Sequence, residues 1–276
     1  MPGLSPETAH RTSGPVSELF DMDLRARRRD RAARIGVEPF LVERIFADCL
    51  ERIALVQRRF ERALLLGCPF PEWPGRLAEV ARAVDVRDPG SLFAQAAGGP
   101  AIVEDDWLPA PGSYDLVVAF GTLDTVNNLP LALRILFEAM TDDSLLIGAM
   151  SGGDTLPALR SAMRAADSAG HGASAHIHPR IEPSAVAPLL ANAGFAMPVV
   201  DVDRVAVTYP SLSRLIEDLR AMGATNVLRK RARAALSRPA YRAAAQAFED
   251  HGNGSATTET FEILHFAAWK ARTEDR

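Results

Sequence analysis

The chain is poor in the residues that would staple, stack or anchor it. It has 2 cysteines in 276 residues, Cys49 and Cys68. Their spacing fits neither a metal box nor a disulfide framework, so a reducing compartment is the simpler reading. Aromatic residues make up 7% of the chain, too few for a base-stacking surface. The net charge is −4, with no strong basic field to draw a nucleic acid, and no nucleic-acid partner is expected. No run of about 18 apolar residues exists, so no transmembrane segment is expected. Residues 1–16 hold no apolar stretch of the signal-peptide kind and read as a disordered tail, which leaves the cytoplasm as the expected compartment. What the chain does have is 47% hydrophobic residues, enough for a full core without staples. Its length suits one large α/β domain, with or without a helical appendage.

The hydrophobic period changes along the chain. Residues 17–62 read as a helical extension: a strongly basic helix over 17–35, then amphipathic helix over 39–62 with Leu41, Ile45, Leu50, Ile53 and Phe60 on one stripe. The basic helix reads either as a solvated face with interleaved acids or as an arm for an acidic partner or an anionic membrane surface, which would make membrane contact peripheral. From residue 63 short continuous apolar runs alternate with helical stretches. Strands are predicted at 63–66, 83–86, 100–107, 114–121 and 144–150, with helices after 73 and over 129–140. That order implies right-handed crossovers and a parallel sheet, whose ligands sit beyond the carboxyl ends of the strands. Helices are predicted over 154–170, 183–194, 211–223 and 238–252. Strands are predicted over 197–210, with Pro198 confining that one to an edge or a start, and over 257–271.

The turn after the first strand, "ALLLGCPFPEWPGRL" (63–77), is the most informative stretch. Three leucines run into Gly67 and Cys68 as a buried strand runs into a glycine turn. A nucleoside loop would continue with glycine, whose open φ lets backbone approach a ligand. Here Pro69 and Pro71 follow, fixing φ and deleting donors.

Several strings resemble the class I S-adenosylmethionine-dependent methyltransferases, and more narrowly the branch holding the mitochondrial complex I assembly factor and the malonyl-carrier-protein methyltransferases. They are "LFDMDLRARRRDRAAR", "YDLVVAFGTLDTVNNLPLALRILFEAMTDDSLLIGAMSGGDTLPALR" and "TYPSLSRLIEDLRAMGATN", with "GGDTL" and "DLRAMG" pointing to the assembly-factor branch. The resemblance implies a Rossmann-like α/β domain over 63–272, with a seven-stranded, mostly parallel sheet and helical insertions after the fifth strand. It implies S-adenosyl-L-methionine as cofactor, held at Gly67, Cys68, Asp85, Glu104, Asp105, Gly121 and Thr122. Asp85 would take the ribose, with Asp88 a competitor, and Glu104 and Asp105 would face the adenine. It implies a substrate pocket near Asp124, Gly152, Gly153, Asp154 and Tyr209, and a respiratory complex I subunit as partner, with arginine hydroxylation as the outcome.

The departures are specific. Leu65 stands where the family has an acid, the two prolines replace the second and third glycines, and Asp124 and Thr125 stand where it often has His-Trp. No catalytic residue is assigned. Three readings stand at this point: an S-adenosylmethionine-dependent enzyme acting on a protein, a non-catalytic assembly factor whose cofactor site is lost, and a methyltransferase of small molecules or carrier proteins. The last would want a basic docking patch, for which Arg229, Lys230, Arg231 and Arg233 are candidates, although "LRKRARAAL" reads better as a solvated helix.

Other residues have plainer readings. Strand-end acids commonly cap helices, and Asp154 is expected to cap the helix after the fifth strand. Tyr209 reads equally well as core. His171, His176 and His178, followed by Glu182, suggest a lid element rather than a metal site.

Overall fold

Apolar runs bounded by turns become strands here because helices cover the sheet on both faces. A computed structural model of the chain describes residues 18–36, 39–170, 172–252 and 254–272; the expected tail and His171 lie outside them. The elements in order are α1 (Met22–Ile35), α2 (Pro39–Ala54), β1 (Phe60–Leu66), α3 (Trp73–Leu77), β2 (Ala81–Arg87), α4 (Ser91–Ala96), β3 (Tyr114–Phe120), a short 3₁₀ turn (Leu123–Thr125), α5 (Leu129–Ala139), β4 (Met140–Ser151), α6 (Pro157–Ala169), α7 (Pro183–Ala193), β5 (Ala196–Tyr209), α8 (Leu212–Ala221), α9 (Arg238–Asp250) and β6 (Thr257–Lys270).

The sheet is six-stranded, in the order β2-β1-β3-β4-β6-β5. The first four strands are mutually parallel, and β6 runs antiparallel to both β4 and β5. The seventh expected strand is absent among the described residues. Residues 100–107 make a single bridge, Ala101 to Asp88, and then turn. Three successive acids, Glu104 to Asp106, disfavour a strand, and Glu104 has a tertiary partner elsewhere. Two further expectations need correction. The helix expected to reach residue 62 stops at Ala54, and Gln57 takes a φ of 55° before β1 begins at Phe60. Residues 229–236 are turns and irregular chain rather than a solvated helix. Pro198 is tolerated because β5 is an edge strand whose register shifts between Ala196 and Val199.

Successive residues of β1 serve opposite cores, as the period of two requires. Leu64 and Leu66 pack with α5 and α7, while Leu65 packs with α2 and α3. A further core joins α6, α8 and α9 to Phe261 and Ile263 of β6. Helix α1 is rich in arginine, and two of its arginines, Arg25 and Arg29, are buried along with Ala32. That face lies across the carboxyl ends of the strands, where a ligand is expected.

Candidate functional site

Beyond the carboxyl ends of β1, β3 and β4 lie two adjoining cavities. One, of about 120 Å³, is lined by α2 (Leu41, Val42, Ile45) and by Pro69, Gly121 and Ile263 among others. The second, of about 80 Å³, meets Arg25, Asp124, His178 and Arg180. Arg29, Gly121, Ser151, Met222 and Ala224 border both.

Two buried carboxylates, Asp88 and Glu104, stand at this end of the sheet, and both are already engaged. Arg29 donates through Nε to Asp88 Oδ1 at 2.7 Å and through Nη2 to Oδ2 at 2.5 Å. Asp88 also accepts the backbone N–H of Cys68 at 2.8 Å and of Gly90 at 2.7 Å. A carboxylate offers about four acceptor positions, so Asp88 has none left for ribose hydroxyls. Arg25 repeats the fork on Glu104 at 2.7 and 2.6 Å and donates to the carbonyl of Thr122 at 2.7 Å. Both ion pairs are buried. Burial works against the charge on Arg29, but Asp88 more than offsets it and the pKa is raised. Residues 25, 29 and 32 stand one helical turn apart. That spacing, inside the basic run, was the available sequence signal that two arginines face inward.

The turn after β1 is braced by protein. Gly67 adopts a φ of 86°, and a Cβ there would stand 2.1 Å from the Phe120 carbonyl, so the glycine serves the approach of β1 to the end of β3. Trp73 is fully buried, stacks on Phe46 of α2 at 3.8 Å and donates its indole N–H to Glu43 at 2.6 Å. The "PFPEW" segment thus anchors α2 over the sheet. The Cys68 thiol is pushed up to about 12, by burial first and then by Asp88, and stays protonated at neutral pH.

The residues expected to hold the cofactor fall into two groups. Gly67, Cys68, Glu104, Gly121 and Thr122 do gather at the strand ends. Gly121, at a φ of 59°, has open space where a Cβ would go, and Thr122 Oγ1 is buried without a partner. Asp85 does not join them. It pairs with Leu64 three residues short of Asp88, and its carboxylate takes Arg62 at 2.8 Å and the Tyr114 hydroxyl at 2.9 Å. The strand-end acid is Asp88, because β2 runs on to Arg87. Asp105 accepts the Asn128 N–H at 2.8 Å and braces the start of α5.

The expected substrate residues scatter. Asp124 faces the smaller cavity, ion-paired to Arg180. A side chain on Gly152 would meet Glu262, and one on Gly153 would meet Glu182. Asp154 lies with Gly153 on an outer groove and does not cap α6. Glu259 of β6 caps it, accepting the N–H groups of Ala158 and Leu159 at 3.1 and 2.8 Å. Tyr209 is buried and borders a separate hollow with Phe40 and Arg214. The histidines diverge: His176 bonds Asp167 at 2.7 Å, while His178 accepts the Val227 N–H at 2.9 Å and packs edge-on to Phe20. That acceptor role fixes His178 as neutral, and burial followed by Arg180 lowers its pKa to about 4.

No protein-family model matches the sequence. Among curated proteins, the chain is 31% identical over 281 residues to Arginine-hydroxylase NDUFAF5, mitochondrial, of Rattus norvegicus, covering 94% of this chain and 79% of that one. The Homo sapiens protein of the same name is 31% identical over 290 residues, covering 97% and 81%. A Malonyl-[acyl-carrier protein] O-methyltransferase of Laribacter hongkongensis is 32% identical over 188 residues, covering 67% and 61%. In solved structures, the YcgJ protein of Bacillus subtilis shares the fold at a TM-score of 0.56 and 11% identity, covering 82% of this chain and 99% of that one. A putative methyltransferase of Bacillus halodurans shares it at 0.52 and 10%, covering 81% and 99%. Identity at this level along nearly the whole length, on a methyltransferase fold, makes the chain a member of the NDUFAF5 family.

Proposed function

We propose that this chain is a methyltransferase-fold assembly protein that acts on a protein subunit of respiratory complex I, and that α1 rather than S-adenosylmethionine fills its nucleoside crevice. The observation that carries the reading is the double fork of Arg25 on Glu104 and Arg29 on Asp88. The residues present do not fit the cofactor, because Asp88 has every acceptor position filled from within and Glu104 is buried in a two-bond fork with Arg25. Removing one partner from a buried pair costs about 3–5 kcal/mol. Opening two would consume the roughly 8 kcal/mol that a micromolar ligand releases. The partner is drawn from the resemblance to the complex I assembly factor. The proposed compartment is the cytoplasm, consistent with two free, buried cysteines; among the described residues no helix is long and apolar enough to cross a membrane.

The test is titration calorimetry of the full chain with millimolar S-adenosylmethionine, alongside capture of partners from its own cell extract. No heat and recovery of a complex I subunit are expected. Micromolar binding with methyl transfer to any substrate would overturn the reading. A second reading rests on the chemistry of the same acids, which already receive guanidinium groups. A partner's arginine displacing Arg25 or Arg29 would meet Glu104 or Asp88, in keeping with the relatives' name, arginine hydroxylase. Loss of subunit capture with Asp88→Asn, in a variant that still melts cooperatively, would favour it.

A further inference from the structure

A second cluster lies beneath α2, on residues that the crevice does not use. His265 of β6 is 2% exposed, and neither ring nitrogen has a hydrogen-bond partner. Each buried polar atom left unmet costs on the order of 1–3 kcal/mol, and native proteins rarely retain one without a ligand or a role. What the ring faces is anionic. Asp48 of α2 places Oδ2 3.7 Å from Nε2, too far for a hydrogen bond. Asp203 of β5 completes a set in which one ligand atom from each residue lies within 4.8 Å of the others. Three separate elements contribute one donor each. The acids are also steadied from outside: Arg44 donates to Asp203 Oδ2 at 3.1 Å, and Arg52 donates to the neighbouring Asp201 at 2.5 Å.

We propose that Asp48, Asp203 and His265 bind one divalent transition-metal ion, which clips α2 to the β5–β6 edge of the sheet. One imidazole nitrogen with two carboxylate oxygens suits zinc or manganese better than magnesium or calcium, which take all-oxygen shells. Ligand atoms about 2.1 Å from a tetrahedral metal stand about 3.4 Å apart, so the set closes by side-chain rotation of the two partly exposed aspartates. Arg44 then holds Asp203 by an outer-shell hydrogen bond, as carboxylate ligands commonly are. The ion would fix the helix whose Leu41, Val42 and Ile45 wall the larger cavity. The proposal is independent of the functional reading above.

The test uses the full chain after chelator treatment, titrated with zinc chloride and separately with manganese chloride, by calorimetry and thermal melting. One ion per chain with micromolar affinity, and a melting-point rise of about 5 °C, are expected. Asp48→Asn, at a partly exposed position, and His265→Gln should each weaken binding tenfold or more. His176→Ala, which removes the imidazole paired with Asp167, should leave it unchanged. Absence of binding by both metals at millimolar concentration, or binding that survives Asp48→Asn, would overturn the proposal. The aspartate variant settles the matter even if the histidine variant fails to fold.

Discussion

Gly67 and Gly121 share a left-handed backbone and differ in what surrounds them. At Gly67 a methyl group would stand 2.1 Å from the Phe120 carbonyl oxygen; at Gly121 it would meet open space. Gly121→Ala should therefore cost only the conformational strain, about 1–2 kcal/mol, and give a folded protein with a modestly lower melting temperature. Gly67→Ala should give little or no soluble folded chain, because two backbones would have to separate. Thermal melts of the purified variants distinguish the two, and equal stabilities would show that Gly67 has no packing role. The first glycine of a methyltransferase turn is legible in "LLLGC". That it serves strand packing depends on β3, which comes about 50 residues later. Asp85 and Asp88 show the same limit: both are strand-end acids by sequence, and only the last residue of β2 decides between them.

Helix α1 is tied to the sheet by two buried arginines, with a small apolar contact at its start. Asp21 caps it by accepting the Leu24 N–H at 2.9 Å. Arg231 reaches Asp21, and Phe20 bridges Leu228. Arg25 and Arg29 supply the attachment to the sheet. Arg25→Ala with Arg29→Ala leaves two buried carboxylates without cations, a loss on the order of 6–10 kcal/mol at 3–5 kcal/mol per pair, reduced by whatever water enters as α1 lifts. In native-state hydrogen exchange, α1 amides of the double variant should exchange as an unfolded segment does while β1, β3 and β4 remain protected. Unchanged protection of α1 would remove the two arginines as its anchor, and with them the argument for a self-filled crevice. The parallel strands, by contrast, were readable as apolar runs. The expected strand over 100–107 failed because Glu104 answers to α1 and Asp105 to the start of α5: a local pattern does not report a partner 79 residues away in the chain.

For the molecule as a whole, the buried histidines set the acid limb of stability. His178 has a folded pKa of about 4 against an ordinary value of 6.5, through burial and then Arg180. His265 is lowered as well, through burial and then Arg52, against the opposing pull of Asp48, Asp203 and Asp201. A group whose folded pKa is depressed contributes stability above its unfolded pKa and loses it as pH falls. The unfolded chain takes up protons that these rings refuse, so stability should be full above about pH 6.5. It should then decline toward pH 4, at up to about 1.4 kcal/mol per pH unit from His178, with His265 adding in the same direction. Glu259, raised by burial, acts in the opposite sense. Melting temperatures measured in the metal-free protein between pH 7.5 and 5 should fall, and His178→Gln should flatten the slope. A profile without slope in that range would mean that water reaches both rings.

The amino-acid sequence alone determined the class of fold, the direction of four strands, the confinement of the Pro198 strand to an edge or a start, and the loss of the glycine-rich turn. Each follows from period, length or a residue's own backbone limits, which act over a few neighbours. The tertiary structure decided who occupies the crevice. Asp88 is filled by an arginine 59 residues before it, and His265 is left facing aspartates from two other elements. The charge balance of a buried site is set by which side chains the packed elements bring within hydrogen-bond reach, and local order in the chain does not specify that.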